Sequence, residues 1–268
     1  MSEPLFQFFE LPRELRDLIY HHLWQDCPAI TVPYSGRTTE SHYNPAINEP
    51  HFKACHDYSK DNVPLPPWVF ANTTFFYEAI SAFEENADWA WLRWAPSKRN
   101  AGSSMLFGPS TSKIVTLKLG EIEDMICKPV RAESLAKEVR ALETNFSRIA
   151  EDMLACGQTQ HLHITFDIES NTTVFALNFF PDVITSMFEP FQHVPIGNLV
   201  ICVREAKDLV KDLEEEKKMQ LRQGLERIAG TILGTESPES SLEKHWKDEE
   251  EMQYYWLQYK KADQARSV

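Results

Sequence analysis

The sequence predicts a mixed α/β chain: an N-terminal helix, a small and mainly parallel βα sheet, and long C-terminal helices. Three observations carry this. Short runs rich in β-branched or apolar residues recur at 112–119, 159–166 and 197–203. Stretches of helical period separate them, as in strand–helix–strand crossovers of a parallel sheet. The last quarter of the chain, 204–268, reads as charged and helical.

The first element is "FFELPRELRDLIYHHLW", Phe8 to Trp24. Pro12 suits the first helical position, where its missing N–H costs nothing, and Glu14 lies near the positive end of the helix dipole. Leu15, Leu18, Ile19 and Leu23 follow helical spacing and form one apolar stripe. Arg13 and Asp17, four apart, are placed to pair on the outer face. Phe6, Phe8, Phe9 and Leu11 are expected to fold back onto the helix. A β-like piece, Ala29 to Tyr34, closes a first unit at 1–34.

Residues 35–67 are rich in Ser, Thr, Asn, His and Pro and read as one long polar loop, which holds His51, Cys55 and His56. An α/β body is expected over 68–203. Trp68, Val69, Phe75, Phe76, Ala79, Ile80 and Phe83 fit a helical stripe, and Trp89, Trp91 and Trp94 an extended piece. Between the first two strands, Leu135, Val139, Leu142, Phe146, Ile149 and Met153 share one helical face, with Gly157 as the capping residue. A shorter helix is expected in "PDVITSMFEPF". The spacing of the strands resembles a loose βα array. In 204–268, one long helix is expected up to Leu233. A second, aromatic helix starts at Ser237-Pro238 and carries Trp246, Tyr255 and Trp256 as partner-facing candidates.

Bulk properties narrow the function classes. The 268 residues are 43% hydrophobic and 25% charged, an ordinary globular composition. No apolar run approaches the roughly 20 residues needed to span a bilayer, and the N-terminus lacks a secretory pattern. Five dispersed cysteines fit a reducing compartment, so a cytoplasmic or nuclear location is expected. The net charge is −13, of which 1–203 carries −10 and 204–268 carries −3. That acidity argues against nucleic-acid binding and against an anionic membrane surface.

Read together, "FELPRELRDLIYHHLW", "VFANTTFFYEAISAF" and "FGPSTSKIVTLKL" resemble, in that order, a group of F-box-like proteins of filamentous fungi. The matching residues are Leu11, Pro12, Glu14, Leu15, Arg16, Ile19, Tyr20, Leu23 and Trp24, then Asn72, Glu78 and Ala79, then Gly108, Pro109, Ile114 and Leu117. The resemblance covers about residues 6–120. It implies a protein partner, namely the Skp-type adaptor of a cullin-type ubiquitin ligase. Leu11, Pro12, Leu15, Ile19 and Leu23 would then enter the adaptor's groove.

Motifs for chemistry are sparse. The sequence contains no GxGxxG, GxxxxGK, GxSxG or HExxH, and no cofactor is expected. No metal site is expected; His161 and His163, which share one strand face, either face solvent or a polar seam or form a candidate pair of metal-ligating imidazoles. Glu121 and Asp167 follow the first two strands at equivalent places, and Arg204 follows the third beside Cys202. Carboxyl ends of parallel strands are where open α/β sheets bind ligands. Three readings therefore stand: a non-catalytic interaction module, a true ubiquitin-ligase substrate adaptor, and a ligand-binding or enzymatic domain at the strand ends.

Overall fold

The computed structural model describes residues 7–27, 29–35, 37–45, 65–92, 107–121, 132–168, 183–205, 215–236, 238, 240–247 and 253–260. His51, Cys55, His56 and Trp94 lie outside them. Among these residues four helices of more than one turn accompany one mixed sheet: α1 (Arg13–Gln25), α2 (Thr73–Glu84), α3 (Ala132–Cys156) and α4 (Glu215–Leu233). The strands are β1 (Ile30–Tyr34), β2 (Arg37–Tyr43), β3 (Ala87–Leu92), β4 (Ile114–Glu121), β5 (Gln160–Ile168), β6 (Ile196–Glu205), β7 (Ser240–Lys247) and β8 (Gln253–Lys260). Their order across the sheet is β1-β2-β3-β4-β5-β6-β8-β7.

The three expected strands are the centre of this sheet. β3, β4, β5 and β6 run parallel, and antiparallel strands extend the sheet on both sides. The sheet is thus larger and more mixed than a small βα array. β2 forms within the stretch that reads as a polar loop. Its sequence, RTTESHY, lacks an apolar stripe, but pairing with β1 and β3 satisfies its backbone from both sides. Pro33 is tolerated in β1 because that strand is an edge.

The C-terminal expectation needs the largest correction. A helix does form over Glu215–Leu233, but the second expected helix is a β-hairpin of β7 and β8. Arg204 and Glu205, read as the start of a helix, end β6. The physical reason lies in β8, QYYWLQYK. Its aromatic residues favour a pleated strand, and alternate residues Tyr255, Leu257 and Tyr259 are buried on one face. They pair with Val203, Ile201 and Leu199 of β6, which bury the same face. Local charge in the sequence suggests a helix. Burial at period two against an open sheet edge decides for a strand.

All four helices pack on a single face of the sheet. Leu142, Phe146, Ile149 and Met153 of α3 and Leu221, Leu225 and Ile228 of α4 meet Trp91, Leu117, Ile164 and Ile201 in the main core. α3 closes at Gly157 with φ +66°, a left-handed conformation that glycine adopts without strain. The expected "PDVITSMFEPF" helix is a single turn, Val183–Ser186, followed by a 3₁₀ turn, Glu189–His193. Phe188 and Phe191 from this stretch pack on Phe146 at 5.4 and 5.8 Å between ring centroids. A second core at the β1–β2 end joins α1 and α2 through Tyr20, Trp24, Ile80 and Phe83 over Ile30 and Val32. The expected stripe from Trp68 to Phe83 is interrupted: Pro67–Phe70 forms a 3₁₀ turn and α2 starts anew at Thr73.

Candidate functional site

The site is built on α1 and α2. α1 begins one residue later than expected: Pro12 precedes the helix, and its carbonyl accepts from the amides of Leu15 (3.1 Å) and Arg16 (3.2 Å). α2 is capped by Asn72, whose side chain accepts from the Phe75 amide at 2.8 Å. Arg16, Tyr20 and Trp24, spaced by four, turn toward α2. Arg16 makes a two-pronged bond to Glu78 at 2.8 and 2.9 Å, the geometry that best matches guanidinium to carboxylate. The Tyr20 hydroxyl donates to the same carboxylate at 3.0 Å, and Arg16 also donates to the Leu11 carbonyl at 2.6 Å. Trp24 Nε1 donates to the Ala79 carbonyl at 2.8 Å.

Charge follows this geometry. The Arg16 hydrogen bonds, aided by the Tyr20 hydroxyl, hold the Glu78 carboxyl below its ordinary range. Burial and the neighbouring Glu78 carboxylate push the Tyr20 hydroxyl far up, so it stays a donor. Phe8 and Phe75 pack on the Tyr20 ring at 5.7 and 4.9 Å, so Phe8 folds back on the helix as expected, whereas Phe9 is 41% exposed and Phe6 lies outside the described residues.

This interlock fixes which face of α1 points outward, and the face differs from the expected stripe. Leu15 is 48% exposed and Leu18 51%, whereas Ile19 and Leu23 are half-buried on the flank. Leu11 is half-buried and Pro12 exposed. The outward ridge of α1 is thus Leu15, Leu18 and His22, opposite Tyr20. The buried face belongs to Tyr20 and Trp24, aromatic residues that an aliphatic stripe does not reveal. The Arg13–Asp17 pair forms as expected, at 2.6 Å. Sequence reasoning missed Phe70, at the end of the 3₁₀ turn before α2, and Tyr77 in the second turn of α2, exposed by 61% and 67%. An apolar residue at the front of a capped helix was their only signal.

The other candidates are distributed over the sheet. Glu121, Asp167 and Arg204 are register neighbours on β4, β5 and β6, so the backbone brings all three into one row at the strand carboxyl ends. Their side chains lie outside the described set. Tyr255 is buried in the main core and cannot face a partner. Trp246 and Trp256 lie on β7 and β8, with their side chains outside the described set.

His161 and His163 share the sheet face opposite the helices. His163 is 1% exposed, and neither of its ring nitrogens has a hydrogen-bond partner among the described residues. Burial lowers its pKa to about 4, so the ring is neutral. Among the described residues no group of three or more His, Cys, Asp or Glu side chains could hold a metal ion. The two imidazoles and the Asp88 carboxylate share this face without forming such a group. Nearby, Thr116 donates to Asp88 at 2.6 Å and Gln258 to Asn198 at 2.9 Å.

No described helix is long and apolar enough to cross a membrane. No family model, curated protein or solved structure matches the chain.

Proposed function

We propose that the chain is a protein-interaction module of the F-box-like type, and that α1 docks by its outer face into the groove of a Skp-type adaptor. The observation that carries the reading is the exposure of Leu15 and Leu18 on a helix whose opposite face is locked by Arg16, Tyr20 and Trp24. Exposed leucines one helical turn apart are what a helix-in-groove partner reads. The residues on which the resemblance rests support it further. Arg16, Tyr20 and Trp24 touch Glu78 and Ala79, while Asn72 caps the helix that presents both. The motif thus acts as one packed unit. In this reading the sheet and the remaining helices form the body that a ligase would use to hold a substrate, and the module lives in the cytoplasm or nucleus.

The test is a calorimetric titration of the purified chain against a Skp-type adaptor, beside a Leu15→Asp, Leu18→Asp double variant. Binding at micromolar concentration that the folded double variant loses supports docking. Absence of binding by the wild-type chain refutes it.

A second reading, a small-ligand site at the strand ends, is favoured by the single row of Glu121, Asp167 and Arg204. Ligand-dependent shifts of amide signals confined to these strand ends would support it, and their absence across a metabolite panel would count against it.

A further inference from the structure

We propose that the cleft between α3 and the Glu189–His193 turn receives a basic, amphipathic segment of a partner polypeptide. The cleft has a volume of about 670 Å³, enough for several side chains. One wall is a single face of α3, where Glu143, Ala150, Glu151 and Leu154 recur at helical spacing. The other carries Glu189 and Pro190.

Chemistry names the occupant. Its apolar lining is Ala150, Pro190 and Leu154, the last 43% exposed, set among the polar Ser147, Ser186 and Gln192. Three carboxylates line it together with the His193 imidazole, and among the described residues no lysine or arginine does. Arg148, the nearest cation on α3 in sequence, turns away to the Ser35 hydroxyl at 3.2 Å and over the Tyr34 ring. Glu143 and Glu151 are eight residues apart, about 12 Å along a helix. A single small cation cannot reach both. Lysines or arginines spaced along a peptide can, and an apolar residue between them would cover Leu154. The walls are held in advance. Phe146 behind α3 packs on Phe188 and Phe191 behind the turn, so little ordering is required on binding.

The inference rests on the interaction-module reading only for its biological use. There α1 would hold the adaptor while this cleft, on a different helix, holds the captured segment.

The test is fluorescence anisotropy on the full chain, with a labelled synthetic helical lysine/leucine peptide and its glutamate/leucine counterpart. The lysine peptide should bind, weaken as salt rises, and lose about tenfold or more in affinity with Glu151→Lys or with Leu154→Ser. Glu226→Lys, the same charge change on α4 outside the cleft, should leave affinity within about twofold. The Leu15→Asp, Leu18→Asp variant should bind the peptide unchanged, which separates this site from adaptor docking. Three outcomes overturn the proposal: no binding, equal binding of both peptides, or equal losses with Glu226→Lys and the cleft variants. The last would make the attraction a property of net charge alone.

Discussion

Two cores share one face of the sheet, and they are closed by different means. The main core, under α3 and α4, is almost wholly apolar, with Trp91, Phe146, Phe166, Phe188 and Phe191 fully buried. Its polar joint is at the rim, where the Tyr34 hydroxyl donates to Asp152 at 2.5 Å. The core under α1 and α2 is small, and directional bonds cross it: Arg16 and Tyr20 to Glu78, Trp24 to the Ala79 carbonyl. An apolar core holds its helices by volume and shape; directional bonds add an angular requirement. The smaller core holds α1 in one orientation by both means, with Tyr20 and Trp24 buried and Leu15 and Leu18 left in solvent.

The largest expected effect tests the main core. Phe146→Ala removes a ring at the meeting point of α3, the Glu189–His193 turn and Trp91. A loss of about 3–5 kcal/mol in unfolding free energy is expected from denaturant titration.

Next is acid sensitivity of the opposite sheet face. The folded-state pKa of His163 is about 4, below its ordinary value of 6.5. Through that window the unfolded chain binds the proton and the native one does not. Stability is therefore fully present above about pH 6.5, falls as pH drops toward about 4, and levels off below, by on the order of 3 kcal/mol. His161, lowered in the same sense, adds to it. In unfolding midpoints measured across the window, His163→Leu should flatten the slope. An unchanged slope would assign the acid loss to carboxylates such as Glu78. Glu78's contribution vanishes only as pH falls through its own, lower pKa.

Smaller effects sharpen the picture of the N-terminal core. Trp24→Phe keeps an aromatic ring but removes the bond to Ala79 and empties part of a fully buried site, so a loss of at least about 1 kcal/mol is expected in the same titration. Asn72→Ala removes the cap of α2 and should cost a similar amount, about 1 kcal/mol. Least of all, Leu15→Asp with Leu18→Asp should change stability by no more than about 1 kcal/mol, because both side chains already meet water. A cooperative loss of several kcal/mol there would mean that the two leucines belong to a core after all.

Legibility in the sequence followed the range of the interaction. Period and punctuation located α1, α3 with its Gly157 stop, and the three central strands within a few residues. β2 was hidden because its alternate residues are polar on both faces, and β7 and β8 because their charge density resembles a helix. In each case the deciding partner is a distant strand. For the candidate site, the order Arg16–Tyr20–Trp24 and Glu78–Ala79 was visible as a motif, but its function as a clamp was not. The clamp joins residues about sixty apart in sequence.

The sequence by itself determined that the chain is acidic, mixed α/β, and opened by an amphipathic helix with leucines on one side. Those properties depend on composition and on spacing within a few turns. Only the tertiary structure decided that the aromatic face of α1 is the buried one, that the last aromatic run is a strand, and that three carboxylates and a leucine meet across α3 and a 3₁₀ turn. Each of these depends on which surface a long-range neighbour offers to cover. A helix with two apolar faces, or a strand that reads as a helix, has its state set by that neighbour.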